Sequence, residues 1–211
     1  MTDLDWVIAQ YDGEVSYADT QLGRLLDAVD PTNTLVVVIG DHGESLGEHG
    51  LLEKLVFFEG AVRVPLIVKG LDTTGANTTA PVQLIDVATT IMGAAGAEPH
   101  KLDEGHDLRE QARPAVFSEQ AGWAMALTPT HKVVCHAGDG SIAEVYDRAE
   151  DPLEVENLAS SAAGAAVAER VWQEHLAPFL ADAPPGYAPA EAPKTLSRGM
   201  LVNGRESQRP G

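Results

Sequence analysis

The chain has 211 residues, 44% of them hydrophobic, which is enough for a folded core and excludes wholesale disorder. Its 32 acidic and 14 basic residues give a net charge of −18, which excludes nucleic acid and an anionic membrane surface as partners, because both require a basic patch. It has no apolar run of the roughly 18 residues that a transmembrane helix needs, no secretory leader in the acidic start Met1-Thr2-Asp3-Leu4-Asp5, and a single cysteine, Cys135.

A cytoplasmic location is therefore expected, with no membrane attachment. Acids at this density repel one another unless salt screens them, the pattern of a halophilic, salt-adapted host or, alternatively, of an ordinary acidic protein.

Ile8, Tyr11, Val15, Leu22, Leu25 and Val29 recur at helical spacing and predict a helix over 6–29, ended by Asp30-Pro31-Thr32-Asn33. The branched run Leu35-Val36-Val37-Val38-Ile39 predicts a strand buried on both faces, as in a parallel sheet. Residues 40–56 are polar and glycine-rich, and Phe57-Phe58-Glu59 opens a new element. A second strand is expected over 64–68, and a helix over 81–92 with Pro81 in its first turn and Gly93 at its end. Beyond Arg113-Pro114, short strands are expected at 115–119, 124–127, 132–136 and 143–146, separated by turn signals such as Gly138-Asp139-Gly140. An alanine-rich helix follows at 162–180. The fold class is therefore α/β: a core of parallel strands and helices, plus a small C-terminal antiparallel sheet with a helix. The expected domains are an α/β part at 1–112, a small antiparallel subdomain at 113–182, and a flexible tail at 183–211.

Chemistry concentrates after the first strand. In open α/β sheets ligands bind at the carboxyl ends of strands, where Gly40-Asp41-His42-Gly43 lies. A carboxylate and an imidazole at adjacent loop positions can reach one metal ion; the alternative is a capping Asp41 beside a surface His42. Gly47-Glu48-His49-Gly50 adds a second histidine. Lys54 follows among Leu51, Leu52, Leu55 and Val56, where its ammonium needs a partner or solvent. An oxyanion is one such partner, and a snorkelling surface lysine is the other reading. Cys135 is read as an unreactive thiol on a short strand.

Taken together, Gly40-Asp41-His42-Gly43-Glu44, Leu46-Gly47-Glu48-His49-Gly50, Lys54, Phe58-Glu59-Gly60 and Arg63-Val64-Pro65-Leu66-Ile67-Val68 resemble the C-terminal half of a sulfatase. Tyr11-Asp12-Gly13-Glu14-Val15, Leu84-Ile85-Asp86-Val87 and Glu144-Val145-Tyr146-Asp147 extend the resemblance, which covers roughly residues 9–180. It implies an alkaline-phosphatase-like fold and hydrolysis of sulfate esters. It also implies Asp41 and His42 as ligands of a divalent metal and Lys54 as a ligand of a sulfate oxygen. His49 either hydrogen-bonds the leaving group or braces the loop. Calcium is the family's common metal, while the imidazole suits manganese or zinc better. The family's formylglycine nucleophile, made from a Cys/Ser-x-Pro/Ala-x-Arg motif, is absent, since Cys135 is followed by His136-Ala137-Gly138-Asp139. Little activity is therefore expected of this chain alone, and association with a separate N-terminal half, or with itself, is expected to complete it. A phosphodiesterase or phosphonate monoester hydrolase of the same superfamily, acting on small phosphorus esters, is the alternative enzyme. A non-catalytic remnant or interaction module is the alternative outside enzymes.

Overall fold

The computed structural model describes residues 3–30, 32–71, 80–97, 104–110 and 113–182. The chain divides into two compact units. One is built on the residues up to Lys54 together with Gly60–Thr73, and the other on Leu55–Glu59 and the described part of Thr74–Ser197.

The first unit opens with helix α1 (Asp3–Leu26). Asp3 and Asp5 in its first turn and Arg24 in its last are placed to favour the helix dipole. The periodic stripe foreseen in the sequence is present, yet no residue of α1 is buried. Strand β1 (Val36–Ile39) follows, then β2 (Ser45–Leu46) and β3 (Leu52–Glu53), which form a small hairpin around a helical turn at Glu48–Gly50. The short helix α2 (Glu59–Val62) leads to β4 (Leu66–Lys69). β1 and β4 pair with each other in a two-stranded sheet, with Val36 opposite Lys69 and Ile39 opposite Leu66.

Two expectations for these strands need correction. Their pairing is antiparallel, not parallel. β1 ends and β4 begins at the same end of the ribbon, so the connection returns to the edge it left and needs no crossover. The strands are also not buried on both faces: their residues are intermediate or exposed. Branched aliphatic runs record a strand that suits coverage on two sides. They record neither its direction nor which part of the polypeptide supplies the cover.

In the second unit, helix α3 (Leu84–Ala94) starts three residues later than foreseen. Gln83 caps it, its backbone N–H donating to Asp86 Oδ2 at 3.0 Å, so Pro81 precedes the helix and Gly93 lies inside its last turn. Asp86 is buried and acts as a junction. Its Oδ1 accepts the His106 backbone N–H at 2.9 Å and the Arg113 guanidinium at 2.6 and 3.0 Å. Thr90 Oγ1 donates to the Asp86 carbonyl and accepts from Leu108 N–H. The buried face of α3 thus combines Asp86, Thr89 and Thr90 with Val87, while Leu84, Ile85 and Ile91 are exposed.

Strands β5 (Val116–Gln120), β6 (Trp123–Leu127), β7 (His131–His136) and β8 (Ile142–Asp147) form an antiparallel meander in that order. Each matches its sequence expectation within a residue or two, because period-two patterning and turn residues are local signals. Helices α4 (Ala162–Val171) and α5 (Ala177–Ala181) are joined through a wide turn at Trp172–Leu176, where Ala177 N–H reaches back five residues to Trp172. Pro178, which has no N–H to donate, sits just beyond this widened turn. Ala168, Val171 and Leu176 pack on Ala124, Ala126, Val133, Cys135 and Val145 from one face of the sheet. The fold is thus α/β with a small antiparallel sheet and a helix, as expected. The predicted tail at 183–211 lies outside the described residues.

The opposite face of this sheet holds a feature that the sequence reading missed. Lys132 is completely buried. Its Nζ donates to the Phe57 carbonyl at 2.8 Å and to Glu59 Oε1 at 3.0 Å, and pairs with Glu154 Oε1. Glu154, also buried, uses its second oxygen to accept the Glu59 backbone N–H at 2.9 Å. Buried charges are tolerable when each has partners like these. Replacing Lys132 by Met strands the Glu154 carboxylate, and the expected cost is about 3–5 kcal/mol of stability, read by urea unfolding. A change under about 1 kcal/mol would show that the carboxylates are not held as described.

Candidate metal centre

The site begins where β1 ends. The β1–β4 ladder does not stop at Ile39: Gly40 N–H donates to the Pro65 carbonyl at 3.2 Å, and Gly43 N–H donates to the Ala61 carbonyl at 2.8 Å. These two bonds clamp the Asp41-His42 loop between its own ends. Neither Gly40 nor Gly43 has a positive φ. The need at Gly43 is space. A Cβ there would lie 2.0 Å from the Gly60 carbonyl oxygen.

Asp41 and His42 come together as foreseen. Asp41 Oδ1 accepts the His42 backbone N–H at 2.9 Å, which turns Oδ2 towards the imidazole. His42 Nδ1 lies 2.9 Å from the Gly43 carbonyl oxygen. A carbonyl only accepts, so the proton is on Nδ1 and the lone pair of a neutral ring is on Nε2. That Nε2 stands 3.7 Å from Asp41 Oδ2. Asp41 Oδ2 and His42 Nε2 therefore face each other, as an ion pair when the ring is protonated and as two donors to a cation when it is neutral. The Gly43 carbonyl fixes the orientation of the His42 ring. Asp41 remains ionised at neutral pH. Its carboxyl is held below the usual range, first by the His42 N–H, then by the His42 ring, with a smaller contribution from the Lys54 ammonium.

The donor set fits a divalent ion as part of a coordination shell. It supplies one oxygen and one nitrogen, and among the described residues no group of three or more His, Cys, Asp and Glu side chains is placed to hold a metal. Lys54 follows β3 and is exposed, so the apolar surroundings inferred from its neighbours are not realised. Its charge is nonetheless near enough to act on Asp41. His49 sits in the turn between β2 and β3 with φ 54°, a left-handed conformation that is uncommon outside glycine. Glu48 ties that turn down, its Oε2 accepting Leu46 N–H at 2.6 Å.

Cys135 is free and fully buried, and burial, with Asp139 adding to it, pushes its thiol up to about 12. It is unreactive, as the sequence suggested. Tyr146 is buried and its ring meets that of Phe58 at 6.0 Å, a packing role.

Gly43→Ala forces the loop away from Gly60. The expected result is about 1–3 kcal/mol of lost stability and faster amide exchange at Gly40 and Gly43, with β6 and β7 unchanged. Wild-type exchange rates in the variant would show that the approach to Gly60 is loose.

Residues 5–97 match the sequence profile of the family described as Sulfatase. The chain is 31% identical over 172 residues to a choline-sulfatase of Rhizobium meliloti (strain 1021), covering 73% of this chain and 33% of that protein. It is 48% identical over 61 residues to the iduronate 2-sulfatase of Homo sapiens, a match covering 27% of this chain and 11% of the human enzyme. Among solved structures, the phosphonate monoester hydrolase of Agrobacterium radiobacter superposes with a TM-score of 0.71 at 26% identity, over 83% of this chain and 41% of that one. The chain thus spans well under half the length of the proteins it matches. Over residues 5–97 the chain belongs to the sulfatase family, and its α/β fold with a small antiparallel sheet is shared with the alkaline-phosphatase-like proteins it matches.

Proposed function

We propose that this chain supplies one side of a metal-dependent sulfate-ester hydrolase, and that it is inactive until further sulfatase sequence completes the site. The observation that carries the reading is the 3.7 Å approach of His42 Nε2 to Asp41 Oδ2 at the carboxyl end of β1.

Asp41 and His42 hold the divalent ion. Calcium is the leading candidate, with manganese or zinc favoured by the imidazole donor. When bound, the ion withdraws charge from the ester oxygens. The Gly43 carbonyl keeps the proton on His42 Nδ1 and leaves Nε2 to the ion. Lys54, exposed just after β3, offers an ammonium to a sulfate oxygen and opposes the negative charge that grows as the S–O bond breaks. Local positive charge is needed because the chain as a whole carries −18 and repels an anionic ester. His49 either donates to the leaving group or braces the hairpin. The nucleophile is not among these residues, since the sequence has no Cys/Ser-x-Pro/Ala-x-Arg motif.

The superposition on a phosphonate monoester hydrolase supports a second reading, in which the ester is a phosphonate or phosphodiester. The geometry of Asp41, His42 and Lys54 serves either anion. A third, non-catalytic reading predicts no ion binding at all.

Calorimetric titration with Mn²⁺ and Ca²⁺ tests the proposal. Binding is expected to be weak, with a Kd of about 0.1–1 mM, and to vanish in Asp41→Ala. Aryl-sulfate and phosphonate-monoester turnover by the chain alone is expected at background. Saturable turnover that survives Asp41→Ala would overturn the assignment, and the absence of any ion binding would favour the non-catalytic reading.

A further inference from the structure

The turn between β7 and β8 holds one histidine in two contacts that require opposite protonation states, and the hydrolase reading uses neither. His136 ends β7 beside the buried Trp123 of β6, and the two rings meet edge-on at 5.3 Å. Gly138 N–H donates to His136 Nδ1 at 3.2 Å, a bond that exists only when Nδ1 is bare. Asp139 Oδ1 lies 3.2 Å from the same nitrogen, and a carboxylate oxygen there needs Nδ1 to carry a proton. One nitrogen cannot serve both. The neutral ring sets two acceptors against each other, and the protonated ring leaves the Gly138 N–H without its acceptor. Asp139 stays ionised, its carboxyl held below the usual range first by the Ser141 hydroxyl and then by the Ser141 N–H, with a smaller contribution from His136.

Of the elements around the ring, β6 presents the uncharged Trp123, and the wide turn after α4 meets Gly140 through the uncharged Trp172. Glu144 of β8 stands opposite Val134 and shares the face of His136, while Glu119 of β5 shares the opposite face with Cys135. The seat is close: a Cβ on Gly138 would lie 3.0 Å from His136 Cε1, and one on Gly140 would lie 2.5 Å from the Trp172 ring. His131 is the contrast, since its Nδ1 meets the Thr130 hydroxyl, which accepts or donates as the ring requires.

We propose that the β7–β8 turn is a pH-sensitive switch with two hydrogen-bonded forms, selected by the proton on His136. In the neutral form Nδ1 accepts the Gly138 N–H, and the ring proton is on Nε2. On acidification a proton from solvent enters at Nδ1 and is donated to Asp139 Oδ1, the Gly138 N–H is released to water, and the imidazolium stands against the Trp123 ring. Histidine changes charge between about pH 5 and 8, so the exchange of partners falls near neutrality. The close approach of Gly140 to Trp172 carries the change to the wide turn.

Nitrogen-15 NMR of the full chain between about pH 5 and 8.5 tests it, with no metal or ester present. At high pH the His136 ring is expected to show a bare Nδ1 and a protonated Nε2. The Gly138 amide and the Trp172 indole are expected to shift with the same midpoint as the ring, and Gly138 to lose about tenfold of its exchange protection below it. Asp139→Asn keeps an acceptor for the Ser141 N–H but removes the charge, so the midpoint is expected to move to lower pH. In His136→Phe the Gly138 amide is expected to lose its pH response. The proposal is overturned if the neutral ring carries its proton on Nδ1, or if the Gly138 amide ignores the His136 titration. It is equally overturned if Asp139→Asn leaves the midpoint unmoved, or if Gly138 still titrates in His136→Phe.

Discussion

The Asp41-His42 corner depends on one backbone approach, that of Gly43 to the Gly60–Ala61 carbonyls. Adjacent residues on a strand point to opposite faces, so a carboxylate and an imidazole one position apart face each other only after the strand has ended. The ladder bonds at Gly40 and Gly43 end it at a fixed place and fix the direction of the next turn. From there the geometry follows in short steps. The His42 N–H takes Asp41 Oδ1, which turns Oδ2 towards the ring, and the Gly43 carbonyl takes Nδ1–H, which turns Nε2 towards Oδ2. Each contact is local to the loop and exposed to solvent. None would hold alone against water, and the two clamps at the loop's ends limit the freedom that would otherwise be lost in forming them.

The second unit stands on a different constraint. β6 and β7 are covered on both faces, by the α4 helix on one side and by Phe57, Glu59 and Glu154 on the other. A strand in that position alternates between two dry environments, and Lys132 falls in one of them. The lysine is kept because three oxygens meet its ammonium and because Glu154 is held in turn by the Glu59 N–H. Such a cluster adds little net stability compared with an apolar substitute, but it fixes which carbonyl and which carboxylates approach the strand.

Much of this was legible in the sequence where the signal is local. β5 to β8 follow from alternation and turn residues, and the Asp-His loop follows from glycines placed after a branched apolar run. Lys54, Asp41 and His42 stand out because their spacing resembles a family pattern. What could not be read is what depends on distant chain. The direction of β4 against β1, the solvent exposure of α1 and the burial of Lys132 are all set by neighbours far along the sequence. The Lys132 signal was present but faint: a single lysine in the apolar run before Val133-Val134-Cys135. Lys54 drew attention for the same reason, and there the chain turned out to be exposed. A lysine among aliphatics records a choice between burial with partners and escape to water, and tertiary contacts decide it.

The exposed faces and the incomplete ligand set have one physical explanation. A sheet that is buried on both faces needs layers that β1, β4 and the loop cannot themselves provide, and a divalent ion needs more oxygens than Asp41 and His42 can offer. Both deficits lie in the first unit, the ligands at the carboxyl end of β1 and the uncovered aliphatics along the strand itself. In an α/β sheet the strand ends that gather ligands belong to neighbouring strands. A parallel strand beside β1 would bring its own carboxyl-end loop up to Asp41. If Asp41 and His42 hold an ion as proposed, such a strand end would add donors to it.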